Sequence, residues 1–73
     1  MTGEELKKLA TAAYGTRWKM IVGGQMDVSR EMLWRYETSV TPISEELAGE
    51  FRKLFKMQIE RQLGSLNAIL QTL

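Results

Sequence analysis

Apolar residues recur at helical spacing almost from one end of the chain to the other. Leu6, Leu9, Ala10 and Ala13 fall at i, i+3, i+4 and i+7, which is one face of a first helix. Thr2 precedes it as an N-cap, and Glu5 sits where a capping box needs an acid reaching back. Gly15 comes after the last periodic residue and reads as its C-terminal stop. Trp18, Val22 and Met26 make the next stripe, predicting a helix from about Arg17 to Gln25 with Thr16 as its cap. Met26-Asp27-Val28 is a tight turn. A third helix then opens at Ser29, whose hydroxyl can accept an orphan backbone N–H of the first turn. Leu33 and Tyr36, together with Val28, form its inward side. Gly23 sits where these two helices would cross, and the lack of a side chain lets the backbones approach closely.

Ser39 to Ser44 is a loop, with Pro42 biasing Thr41 away from helix. Ser44 caps a further helix, and Glu45 and Glu46 complement the dipole of its first turn. Leu47, Phe51, Leu54 and Phe55 face inward. The stripe then runs on through Phe55, Ile59, Leu63, Leu66, Leu70 and Leu73, stepping by 4, 4, 3, 4 and 3, close to a heptad seam. Gly64 interrupts it and marks a kink or a break between two helices. No stretch argues for a strand. The pattern therefore predicts an all-α chain of four or five helices in one domain, residues 1–73, with an extended C-terminal helix.

Composition mainly excludes. With 73 residues there is room for one small core. No cysteine and no histidine are present, so disulfides and the usual metal ligands and general base are missing. The acids are scattered, no glycine-rich loop comes after a strand, and Gly23-Gly24 lies inside a helical pattern, so an enzyme is not expected. No metal or cofactor is expected either. No apolar run approaches the roughly 20 residues of a membrane span, and the first residues, polar and acidic, carry no leader signal. A soluble cytoplasmic protein without a membrane partner is the expectation. The net charge of +1 is a weak footprint for a nucleic-acid binder. Locally the balance differs: from Thr16 to Tyr36, Arg17, Lys19, Arg30 and Arg35 stand against Asp27 and Glu31.

The outer face of the third helix changes the picture most. It carries Arg30, Glu31, Trp34 and Arg35, with Ser29 at its tip. A solvated face usually shows Lys and Glu, and a tryptophan between two arginines departs from that. The stretch Thr16–Thr38 resembles the helix-turn-helix of lambda-repressor and Cro-like DNA-binding proteins. Within that group it looks most like small phage and mobile-element regulators with a YG-x-RW … GVS-x-x-x-(V/L)-x-R-(W/Y) pattern. Tyr14-Gly15, Arg17-Trp18, Val28-Ser29, Leu33 and Arg35-Tyr36 match it as they stand. Two positions depart from it. Asp27 stands where the turn usually has Gly, and Asp tolerates left-handed φ better than most residues. Gly23 stands where Ala is usual, which keeps the smallness but weakens the helix by up to about 1 kcal/mol. The resemblance covers roughly Glu4 to Leu54.

The resemblance implies that Ser29, Arg30, Glu31, Trp34 and Arg35 meet bases or phosphates in the major groove of double-stranded DNA. The residue types suit that role: Arg can donate twice to guanine, Glu can accept from cytosine, and an apolar ring can meet thymine methyls. Thr16, Arg17 and Lys19 would face a phosphate at the start of the preceding helix, where N–H groups and dipole favour an anion. The plainer readings are a solvated face with one stray aromatic, and a cap with two surface charges.

The leucines after Phe55 exceed what one small core needs. Phe55, Ile59, Leu63, Leu66, Ile69, Leu70 and Leu73 thus read as a partner surface in residues 55–73, with a second copy the simplest partner. Together these features predict a homodimeric transcriptional regulator at an inverted-repeat operator. A repressor is expected rather than an activator, since there is no room for an effector site or an activation domain. The alternative is a helical protein-interaction module, such as an anti-activator or antitoxin, that holds its partner through the leucine-rich region.

Overall fold

A computed structural model describes residues 1–73 as an all-helical chain of four elements. They are α1 (Gly3–Tyr14), α2 (Trp18–Met26), α3 (Arg30–Glu37) and α4 (Glu45–Thr72). Three helix starts are set by hydroxyl caps. Thr2 Oγ1 accepts from Glu5 N at 3.1 Å, Ser29 Oγ from Met32 N at 3.2 Å, and Ser44 Oγ from Leu47 N at 3.2 Å. The capping box of α1 closes only half-way. The Glu5 carboxylate accepts from the Thr2 hydroxyl at 3.5 Å instead of returning to the Thr2 backbone N–H.

Thr16 does not cap α2. The chain turns through residues 15–17, Trp18 N donates to the Gly15 carbonyl at 3.3 Å, and Arg17 holds the N-cap position without a side-chain bond. This shifts the helix and its turn by one residue from the expected bounds, so that Asp27, Val28 and Ser29 connect α2 to α3. Asp27 takes the left-handed conformation at φ 55 and ψ 43. Val28 N then reaches back to the Gly23 carbonyl at 3.2 Å, which ends α2 firmly.

α1 is the centre of the packing and lies against each of the other three helices. Leu6, Ala10 and Ala13 from α1, Trp18 and Val22 from α2, Leu33 from α3, and Phe51 and Phe55 from α4 form one buried cluster. Phe51 and Phe55 stack at 5.8 Å, Tyr36 meets Phe51 edge-on, and Tyr14 meets Phe55 edge-on. Ala48 is also buried, although the apolar stripe did not single it out. Leu9, Met26, Val28, Tyr36, Leu47 and Leu54 line the margin of the core, half-buried. Two glycines are fixed by close approach. A Cβ on Gly23 would stand 2.8 Å from the Val28 carbonyl oxygen, so the α2–α3 turn leaves no room for alanine. A Cβ on Gly3 would stand 2.5 Å from the Tyr36 carbonyl oxygen and closer still to that of Glu37. The N-terminus of α1 therefore abuts the C-terminus of α3, which brings the two helix dipoles head to tail.

α4 passes through Gly64 without a break, so there are four helices and not five. At 1.5 Å per residue its 28 residues extend about 42 Å, close to the 46 Å longest dimension of the molecule. Its first half packs on α1, and every residue from Glu60 onward is exposed. The last tie to the body is Gln62 Nε2 donating to the Ala13 carbonyl at 2.6 Å. Phe55, expected at a partner surface, is only 1% exposed and belongs to the chain's own core. The reason is that Tyr14 and Phe51 close over its ring. Ile59 is half-buried against the same cluster. No helix is long and apolar enough to cross a membrane.

Candidate nucleic-acid interface

α3 turns Leu33 into the core and Arg30, Glu31, Trp34 and Arg35 outward on one contiguous face. The two tryptophans divide sharply: Trp18 is 3% exposed, and Trp34 is 52% exposed. Leaving half an indole in water forgoes burial that a core position would supply, so the ring contributes little to the fold where it stands. Arg35 Nη2 lies 3.4 Å from Glu31 Oε1, one turn earlier on the helix. An exposed pair at this spacing contributes only about 0.3–0.5 kcal/mol, so either side chain can exchange its partner for a ligand. Ser29 is exposed at the tip. Its oxygen is occupied by the cap, and its hydroxyl proton remains free to donate.

Arg30 has no acidic partner. Together with Thr16, Arg17, Lys19 and Met20 it lines a shallow hollow of about 350 Å³ between the starts of α2 and α3. The fold thus brings together the three residues expected at a phosphate and one of those expected at bases. Arg17 and Thr16 are exposed there. Lys19 is not free: its ammonium lies 2.5 Å from Glu37 Oε2 and 5.6 Å from the centre of the Trp18 ring. That oxygen of Glu37 is shielded from solvent and has no hydrogen bond of regular geometry, so the lysine charge is what compensates it. Lys7 of α1 approaches the other oxygen at 4.0 Å. Glu37 therefore ties α1 and α2 to the end of α3. The sequence pattern did not point to it, because its two partners come from helices 18 and 30 residues earlier in the chain. Met20, exposed at the edge of the hollow, was likewise not anticipated.

Behind this surface, the Tyr14 hydroxyl donates to Gln25 Oε1 at 3.4 Å. Burial under α4 pushes its pKa up, and the nearby Arg61 guanidinium acts in the opposite direction. Along the free end of α4, Leu63, Leu66, Ile69, Leu70 and Leu73 are between 54% and 95% exposed. Compared with family models, curated proteins and solved structures, the chain gives no match.

Proposed function

We propose that this chain is a small sequence-specific DNA-binding regulator that presents α3 to the major groove and works as a homodimer. The observation that carries the reading is the outer face of α3. Two arginines, a glutamate and a half-exposed indole project from a short helix whose other side is locked into the core. Such a helix is rigid enough to read base edges, and its residues can form bidentate and methyl contacts. Arg17 beside the start of α2 would hold the phosphate backbone. Repression, by occupying a site on DNA, is the mode we propose.

Selection from a library of random duplexes, read by gel shift at two salt concentrations, tests the proposal. The selected sequences should converge on an inverted repeat with half-site centres about 34–36 Å apart. Arg30→Ala and Arg35→Ala should each keep the fold. Loss of a base contact costs about 1–3 kcal/mol of specific binding, and loss of a phosphate contact lowers the salt slope by about 1. Leu66→Glu should yield a folded monomer that binds the selected DNA far more weakly, because it sets an unpaired charge in the pairing surface. No enrichment, or wild-type binding by both arginine variants, would refute the assignment of α3. The exposed leucines of α4 favour a second reading, a protein-interaction module. In that case gel shifts would be independent of sequence.

A further inference from the structure

The exposed leucines of α4 belong to a longer stripe than the free end of the helix. Arg52, Lys56, Ile59, Leu63, Leu66, Leu70 and Leu73 step by 4, 3, 4, 3, 4 and 3, a heptad seam sustained over three repeats. Its first part lies on the body and its second part projects beyond it. On the body, this same stripe borders an open apolar hollow of about 360 Å³, lined by Leu9, Phe55 and Ile59 and flanked by Arg52, Lys56 and Glu60. From Gln62 to Leu73 there is no charged residue.

We infer that two copies pair their α4 helices antiparallel, so that the free end of each helix lies along the stripe of the other and reaches its Leu9–Phe55–Ile59 hollow. This rests on the homodimer proposed above and assigns its geometry. Bringing each side chain of one spacing class opposite one of the other allows registers a heptad apart, and the register with the longest overlap that keeps Arg52 off the aliphatic seam is the one taken. Leu63 then faces Leu66 of the second copy, Ile59 faces Leu70, and Lys56 faces Leu73. All five exposed aliphatic side chains of the free end and both hollows would be covered. A parallel pair would leave the hollows open, and it would set Lys56 against Lys56 and Arg52 against Arg52. In the antiparallel register Lys56 is the one charged seam residue that meets the other copy, where its stem can lie along Leu73 with its ammonium in water, and Arg52 lies outside the overlap. A stable interface needs about 800 Å² from each partner. The free end alone is about three turns of helix, and the overlap with the body extends the contact to about five. The symmetry centre falls near Gly64 and Ser65. The buried core residues of α4, Ala48, Phe51 and Phe55, lie on average about thirteen residues from it, which separates the two bodies by about 40 Å along the helix.

Because the chain has no cysteine, disulfide trapping reads this geometry directly. Ile59→Cys chains mixed with Leu70→Cys chains in a glutathione redox buffer should yield a covalent heterodimer, since a disulfide needs Cα atoms within about 7 Å. Leu70→Cys alone should stay uncrosslinked, because its two copies would stand about 16 Å apart along the helices. Lys56→Cys mixed with Leu73→Cys repeats the test at exposed positions that do not bear on folding. Rapid crosslinking of Leu70→Cys alone would overturn the antiparallel arrangement in favour of a parallel one. No crosslink in either mixture would overturn it as well. The DNA reading is tested separately on the same material. A crosslinked dimer that selects no DNA sequence keeps this interface and refutes the regulator, while specific binding without the crosslink does the reverse.

Discussion

Removing the charge of Glu37 should be visible in two independent measurements. Glu37→Gln keeps the shape of the side chain while Lys19, at 2.5 Å, and Lys7, at 4.0 Å, lose their counter-charge. The Lys19 pair dominates, since the Glu37 side chain is only 13% exposed and that of Lys19 33%. A surface pair contributes about 0–1 kcal/mol, whereas breaking a buried one costs about 3–5 kcal/mol. Here the acid is shielded but the lysine reaches solvent, so the screened value falls between them at about 1–2 kcal/mol. For a domain of this size, that lowers the thermal midpoint by about 5–15 °C. Circular dichroism melts read it. The second measurement depends on position. Lys19, released from Glu37, stands beside Arg17 and Arg30 in the hollow between α2 and α3. On the proposed DNA reading it would gain a phosphate, steepening the dependence of log K on log salt by about 0.9. A variant that melts with the wild type would refute the compensating role given to Lys19. A destabilised variant with an unchanged salt slope would put Lys19 away from the DNA.

Single features of the fold carry further expected outcomes. Gly3→Ala should destabilise by about 1–3 kcal/mol, because its methyl group would overlap the last carbonyls of α3. In the same chemical-denaturation assay Gly49→Ala should stabilise by about 0.5–1 kcal/mol, since nothing lies near the added methyl group on that exposed helical turn. Equal effects would contradict the α1–α3 contact. In single-tryptophan variants, iodide should quench Trp34 strongly and Trp18 weakly, and the reverse would place the wrong side of α3 outward. Burial raises the Tyr14 pKa in the folded chain, so the fold favours its neutral form. This contribution is fully present below the unfolded value of about 10 and is lost as pH rises through the higher folded value. Denaturation midpoints should therefore fall in that alkaline window, and Tyr14→Phe should remove part of the fall.

Most of the fold was legible because it rests on local rules. The hydroxyl caps at Thr2, Ser29 and Ser44, the left-handed Asp27 and the apolar stripes each act within a few residues of themselves. What escaped sequence reading depends on distance in the chain. Phe55 satisfies the core stripe and the seam equally well, and only the ring of Tyr14, packed against it from α1, decides that it is core. Gly64 is a helix breaker by propensity, costing about 1 kcal/mol, yet one such residue does not outweigh the helical neighbours on both sides. The outer face of α3 was legible because amphipathic phase alone orients it. The Lys7–Glu37–Lys19 bridge was not, since three separate helices supply it.

The modest net charge and the long α4 belong to one argument. Of the cations expected near DNA, Lys19 is tied to Glu37 and Arg35 is shared with Glu31, which leaves Arg17 and Arg30 without an acidic partner. A copy with so few free cations would neutralise few phosphates, and each phosphate contributes a salt slope of only about 0.9. Alone, such a reader would bind weakly at physiological salt. Two copies joined by α4 would bring the second face to its half-site at a high effective concentration, so that affinity rises by far more than the added contacts. The chain would then rely on pairing rather than on charge for its hold on DNA. Such a role would account for a helix that continues well past the core it helps to build.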